Sequence, residues 1–383
     1  MSDIEAFRNL DDISFIDNIS IETLQKQAIT AYEQKYKEIT GEKITLYPAD
    51  PMRILLNTYV LQLYQGYQYL DRAAKQNLLR YSYDKYLDHI GALKGVTRLK
   101  AKNAVVTVRF TLSAIQSFDV SIPKGTRVSS GDKVFFETMT ANVILAGQCE
   151  IDINCICQQS GVIGNGYEIG QLNVLVDTIF YIESVYNITK SQGGSNEESD
   201  ESLSERIFLA PSAYSVAGPK DAYIYWVKTY STLIQNVYLD MVTPGTVEIC
   251  ILLENGVLPE QSFLNDLYTF LEKQGIRPLT DRINLYAPTL VEYDLNITYY
   301  ISQKNANKEN DIKNNVQKAI QQYVLWQKQQ IGRDINPSEL IKQVMQAGAK
   351  RVEIVQPDFQ EISHTELAQC KNKTVIYGGL EYD

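Results

Sequence analysis

The chain has 383 residues, 44% hydrophobic and 21% charged, a balance suited to folded globular cores and too long for a usual single one, so several domains are expected. A formal net charge of −10 argues against a surface that tracks phosphates, and no apolar run nears the roughly 18 residues of a membrane span, so neither nucleic acid nor a bilayer crossing is expected. Five scattered cysteines and only two histidines, His89 and His364, leave little material for a disulfide framework, a zinc site or a His-based triad, so no metal, cofactor or small-molecule substrate is expected.

The first predicted element is a helix capped by Ser20, with Leu24, Ala28, Ala31, Tyr32 and Tyr36 along it and Gly41 as a left-handed stop. Asp50 followed by Pro51 opens a long second helix reaching to about Leu79. Its apolar seam, Leu56, Val60, Leu63, Tyr67, Leu70 and Ala74, has the spacing of a coiled coil. Such a seam asks for a partner helix, either the one ending at Gly41 or one from another chain, and both readings stand. A shorter helix through Tyr86, Leu87, Ile90 and Leu93 ends near Gly95 and completes a helical region over 1–96.

From Ala104 the apolar period becomes two, through Val106, Val108 and Phe110 and again through Cys149, Ile151, Ile153, Cys155 and Cys157, which predicts a β-sandwich-like domain over 97–192. Cys155 and Cys157 share one strand face, so buried, reduced thiols are expected. The glycine run at Gly161, Gly164, Asn165 and Gly166 reads as a β-turn, because no Lys-Ser/Thr follows it and no helix signal begins there.

An α+β domain is predicted over 193–285. Ser202 and Glu205 read as a capping box, which makes Glu197, Glu198, Asp200 and Glu201 a solvated helix start whose spacing matches no calcium loop. Gly218 and Pro219 open another helix towards Tyr230; strands over 234–239 and 247–253 join at Pro244 and Gly245, and a helix bearing Phe263, Leu267, Phe270 and Leu271 ends at Gly275. A second such domain over 286–383 has alternation from Tyr293 to Ile301, a helix through Ile312, Val316 and Ile320, another begun by Asn336 and Pro337, and a strand over 352–355. The fold class is therefore multidomain α+β: an N-terminal helical bundle segment, a central β-sandwich-like domain and two small C-terminal α+β domains.

Four stretches resemble the baseplate J-like family of contractile phage tails, in the family's order. In YLDHIGALKGVTR the matching residues include Gly91, Gly95 and Arg98; in IPKGTRV they are Pro123, Gly125 and Thr126; GVIGNG follows. The densest match runs from Gly193 to Trp226, with Gly193, Gly194, Glu198, Asp200, Arg206, Gly218, Pro219, Tyr223 and Trp226 in the family's places. The match is least after Pro357, which leaves residues 364–383 without an assigned role.

The resemblance implies a non-enzymatic wedge subunit, two copies joining one smaller companion protein, with wedges ringing a central hub beside the sheath. It implies assembly in the bacterial cytoplasm, in a phage, an R-type bacteriocin or another injection machine, and the acidic amino terminus MSDIEAFRNLDD, which lacks a signal-peptide pattern, fits that expectation. On this reading the six seam residues bind partners, and the motif residues are structural. The 26 tyrosines suit wet protein interfaces. The alternatives are a receptor-binding tail protein or adhesin, for which no short repeat is visible, and a cell-wall hydrolase using the carboxylates at 197–201.

Overall fold

The architecture comes from a computed structural model that describes residues 6–7, 9–17, 19–214, 220–243, 245–273 and 282–382. Gly218, Pro219, Pro244 and Gly275 lie outside the described residues. By contacts the chain divides into two units, residues 1–98 with 199–210, and residues 99–198 with 211–383.

In the first unit, α1 (Ile21–Thr40) begins where Ser20 accepts the Thr23 N–H at 3.1 Å and ends at Gly41, whose φ of 79° suits a residue without a side chain. α2 (Pro51–Lys75) stops a turn short of Leu79; its N-cap carboxylate, Asp50, accepts the Tyr47 N–H at 2.6 Å instead of a first-turn amide. The two helices pack as a hairpin. Leu46 in the connection ties them, its N–H donating to Glu33 at 2.9 Å and its carbonyl accepting from Arg53 at 2.8 Å.

The unit is completed by α3 (Asp84–Leu93) and α4 (Asp200–Leu209). The cap of α4 is Ser199, which accepts the Ser202 N–H at 3.3 Å, and not Ser202. Starting one turn earlier places Asp200 and Glu201 in the first turn, where the helix's positive end favours carboxylates. The segment 199–210, which sequence reading places within 193–285, therefore groups with the N-terminal helices.

The second unit begins with eight strands: β1 (Asn103–Leu112), β2 (Val120–Ile122), β3 (Arg127–Ser129), β4 (Phe135–Thr138), β5 (Asn142–Ile144), β6 (Glu150–Ser160), β7 (Val174–Leu175) and β8 (Ile182–Asn187). Six form an antiparallel sheet in the order β7-β3-β4-β6-β1-β8, whose two edge strands approach each other, so the sheet nearly closes into a barrel capped by the β2–β5 pair. Alternate residues fill it, among them Val108, Phe110, Ile122, Phe136, Ile144 and Cys155. Both Cys155 and Cys157 are buried free thiols, and burial pushes Cys155 up to about 12. The glycine run forms a 3₁₀ turn over Val162–Gly164. A Cβ on Gly164 would lie 2.8 Å from the Cys157 sulfur, so the close approach requires glycine.

The next layer holds α5 (Lys220–Tyr230), β9 (Ile234–Thr243), β10 (Thr246–Leu253), α6 (Gln261–Lys273) and β11 (Arg282–Tyr286), with sheet order β11-β10-β9. β10 runs antiparallel to β9 and parallel to β11, a strand not expected from the sequence. One face of β10, Ile249 and Ile251, packs on Tyr223 and Val227 of α5 and on Leu264 and Leu267 of α6. Its other face, Cys250 and Leu252, packs on Ile331 and Leu367 of the last layer.

That layer comprises β12 (Thr289–Ser302), α7 (Glu309–Lys328), α8 (Pro337–Gln346), β13 (Arg351–Gln356) and β14 (Glu366–Glu381), in sheet order β13-β12-β14. Asn336 caps α8 by accepting the Ser338 N–H at 2.9 Å, and α7 and α8 cover the sheet through Val316, Ile320, Tyr323, Leu340 and Val344. β14 is long, parallel to β12, and unanticipated from the sequence; it occupies most of the stretch after Pro357. His364, just before it, stacks on Tyr238 at 5.2 Å.

Candidate functional site

Several motif residues mark close approaches of side chain and backbone. α3 ends in a turn at Gly95, φ 71°, which carries the chain back so that the Val96 N–H reaches the Gly91 carbonyl at 2.9 Å. A Cβ on Gly91 would stand 2.8 Å from the Val96 oxygen and 3.2 Å from Ile207 Cδ1, so glycine is what lets α4 pack on this turn.

Arg98 then bridges two helices. Its Nε donates to Asp88 at 2.8 Å and its Nη2 to Asp200 at 2.7 Å, while the Asp84 N–H donates to the other Asp200 oxygen at 3.1 Å. Partial burial works against an ionised Asp200, but the Asp84 amide and the Arg98 guanidinium outweigh it and hold the carboxyl below the usual carboxylate range. Burial likewise opposes charge on Arg98, and Asp200 and Asp88 outweigh it. Arg206, 2% exposed, donates to the Thr97 carbonyl at 2.7 Å.

In the second unit Glu198, equally buried, accepts the Leu99 N–H at 3.0 Å while its own N–H donates to the Leu99 carbonyl at 3.0 Å. Gly194 exchanges hydrogen bonds with the Asn165 amide at 2.7 and 2.9 Å and lies hard against the Gly161 carbonyl; Gly193 beside it has φ 87°. The Pro123 carbonyl accepts from Thr126 and Thr138 hydroxyls at 2.8 and 2.7 Å, across the turn at Gly125, φ 84°. Tyr223 is buried in the α5 core, and Trp226 packs beside it. Within each unit these residues make fold-forming contacts, Glu198 accepting from the Leu99 amide and Asp200 from Arg98 and the Asp84 amide.

The surface left open is on the helical hairpin. Along α2 only Val60, 2% exposed, is buried; Leu56, Tyr67 and Ala74 are half-buried, whereas Leu63 and Leu70 are 40% and 58% exposed. Met52, Leu55 and Tyr59 are exposed as well, and at about 100° per residue they lie on the same flank as Leu63 and Leu70. Sequence reading had not placed these three in the seam, although their spacing of three and four was legible. α1 contributes no buried residue among those described. The seam is thus split: Val60, Tyr67 and Ala74 turn inward, and the neighbouring row faces solvent.

The chain is similar to known proteins over most of its length. The model of the baseplate J-like protein barrel domain matches residues 107–194, that of the baseplate J-like central domain residues 215–287, and that of the baseplate J-like protein C-terminal domain residues 295–376. Baseplate protein J of Escherichia phage P2 is 27% identical over 186 residues, spanning 48% of this chain and 61% of that protein's length. Among solved structures, a chain of the anti-feeding prophage (AFP) baseplate determined by cryo-EM covers 90% of this chain and 90% of its own, with a TM-score of 0.42 and 10% identity. With its barrel, central and C-terminal layers matched in order, the chain belongs to the baseplate J-like family of baseplate structural proteins.

Proposed function

We propose that this chain is a wedge subunit of a contractile-tail baseplate, acting through assembly and not through catalysis. The N-terminal hairpin docks its open apolar flank into a helical bundle with a smaller companion protein and a second copy of this chain. The C-terminal layers make contacts between copies, and the linked layers pass on the rearrangement that triggers contraction, with hub and sheath proteins as further neighbours.

The observation that carries this reading is the α2 flank of Met52, Leu55, Tyr59, Leu63 and Leu70. A two-helix hairpin cannot bury two apolar stripes by itself, and a row of aliphatic side chains at heptad-like spacing is covered at low cost by a third helix. The family resemblance and the likeness to baseplate protein J of phage P2 supply the kind of assembly in which that helix would be found.

The test is co-expression with the protein encoded beside it in the tail cluster. Leu63→Asp with Leu70→Asp is expected to abolish co-purification while leaving the melting temperature of the isolated chain unchanged, because both side chains are exposed in it. Undiminished co-purification of the double variant would remove the hairpin from the proposed interface.

A further inference from the structure

The near-barrel domain carries a second open apolar surface, at one end, built by three loops that no motif marks. Residues 113–119, 145–149 and 177–181 meet there, laced by backbone hydrogen bonds: the Ser113 N–H donates to the Tyr181 carbonyl at 3.0 Å, and the Gly147 N–H to the Gln116 carbonyl at 3.0 Å. The Ala146 N–H donates to the Asp119 carboxylate at 2.9 Å. Tyr181 holds a φ of 73°, unusual for a bulky residue, and its ring meets Phe118 edge-on at 5.3 Å.

The loops project Ile115, Phe118, Leu145, Phe180 and Tyr181 outward; all five are exposed, Phe180 to 85%. Together they show on the order of 500 Å² of apolar side chain, the upper end of what one patch on a monomer carries and a size that goes with function. Because the loops are cross-linked by hydrogen bonds and ring contact, the patch is pre-organised, and little ordering entropy opposes a partner.

The charge around it selects the occupant. These loops and their flanks, residues 113–119, 145–150 and 176–183, hold Asp119, Glu150, Asp177 and Glu183 and no Lys or Arg. The nearest guanidiniums are committed, Arg109 to Asp152 and Glu150 and Arg127 to Asp177, while Asp119 and Glu183 have no ion-pair partner among the described residues. An anionic lipid surface would be repelled, and a second copy of a chain of net charge −10 brings like charge. We propose that this tip docks a segment of a different protein in which apolar side chains are flanked by Lys or Arg. It rests on the barrel domain alone, so its failure and that of the wedge reading are separable.

The experiment uses the full-length chain and fluorescein-labelled synthetic peptides in which Leu alternates with Lys, Leu with Glu, or Ser with Lys, read by anisotropy. The Leu–Lys peptide is expected to bind saturably and the other two at least about tenfold more weakly. Phe180→Ser, at a position so exposed that the fold does not depend on it, is expected to weaken Leu–Lys binding about tenfold, and Glu183→Lys to shift the preference towards Leu–Glu. The proposal is overturned if Ser–Lys binds as well as Leu–Lys, or if Phe180→Ser leaves binding unchanged. It is equally overturned if the tip drives self-association in sedimentation or binds vesicles of neutral lipid, since the occupant would then be a second copy or a membrane.

Discussion

Arg98 and Arg206 each reach a carboxylate or carbonyl supplied by a neighbouring helix or turn, while Gly91 and Gly194 clear space for close approach and Gly95, Gly125 and Gly193 supply positive φ. Asp200 gives this a measurable form. Its carboxyl is held below the ordinary value of about 3.9, so the stabilisation from its contacts with the Asp84 amide and Arg98 is present above that pH and is lost as pH falls through the lowered folded value. Asp200→Asn is therefore expected to be less stable than the unmutated chain near neutral pH, by under about 1 kcal/mol because the side chain is 43% exposed, with the difference closing in denaturant titrations as the carboxyl is protonated in acid. A gap that persists unchanged into acid would show that the carboxylate's charge is irrelevant. The motif residues were legible as a pattern, but their roles were not: Ser202 with Glu205 reads as the cap, whereas Ser199 is the cap and places Asp200 and Glu201 at the helix's positive end.

Among elements, the helices and the strongly alternating strands were legible because caps and periods agree with packing. α2 shows the limit of that reading. The six seam positions form two rows, of which that of Val60, Tyr67 and Ala74 turns inward, so Leu63 and Leu70 end on the open flank. In the isolated chain Val60→Ala is expected to cost about 1–3 kcal/mol, as for other buried truncations, and Leu63→Ala less than about 0.5 kcal/mol, in matched urea unfolding curves. Equal losses would mean that Leu63 is covered within the hairpin. β14 escaped the sequence for a different reason. Its pairing with β12 is interrupted by two register shifts, near Lys371–Lys373 and at Gly379, and Lys371 turns out to pair with Glu292, so no clean period of two survives in the text. β10, expected over 247–253, carries apolar residues on both faces, Ile249 and Ile251 on one and Cys250 and Leu252 on the other, because a layer packs on each side; β11 went unseen because it is short and joined in parallel by a connection that alternation does not reveal.

For the molecule as a whole, the barrel, central and C-terminal layers each own a core, whereas the helical hairpin does not: among the described residues α1 buries none and α2 one. An apolar-flanked hairpin without a core of its own would be finished by another chain, which is the physical content of the proposed wedge role. The direct measurement is amide hydrogen exchange along α2, in the free chain and in the assembled particle. The account predicts that amides over residues 52–74 exchange early in the free chain, well before those of β10 and β12, and become strongly protected on assembly. The same slow exchange in both states, or the same fast exchange in both, would contradict it.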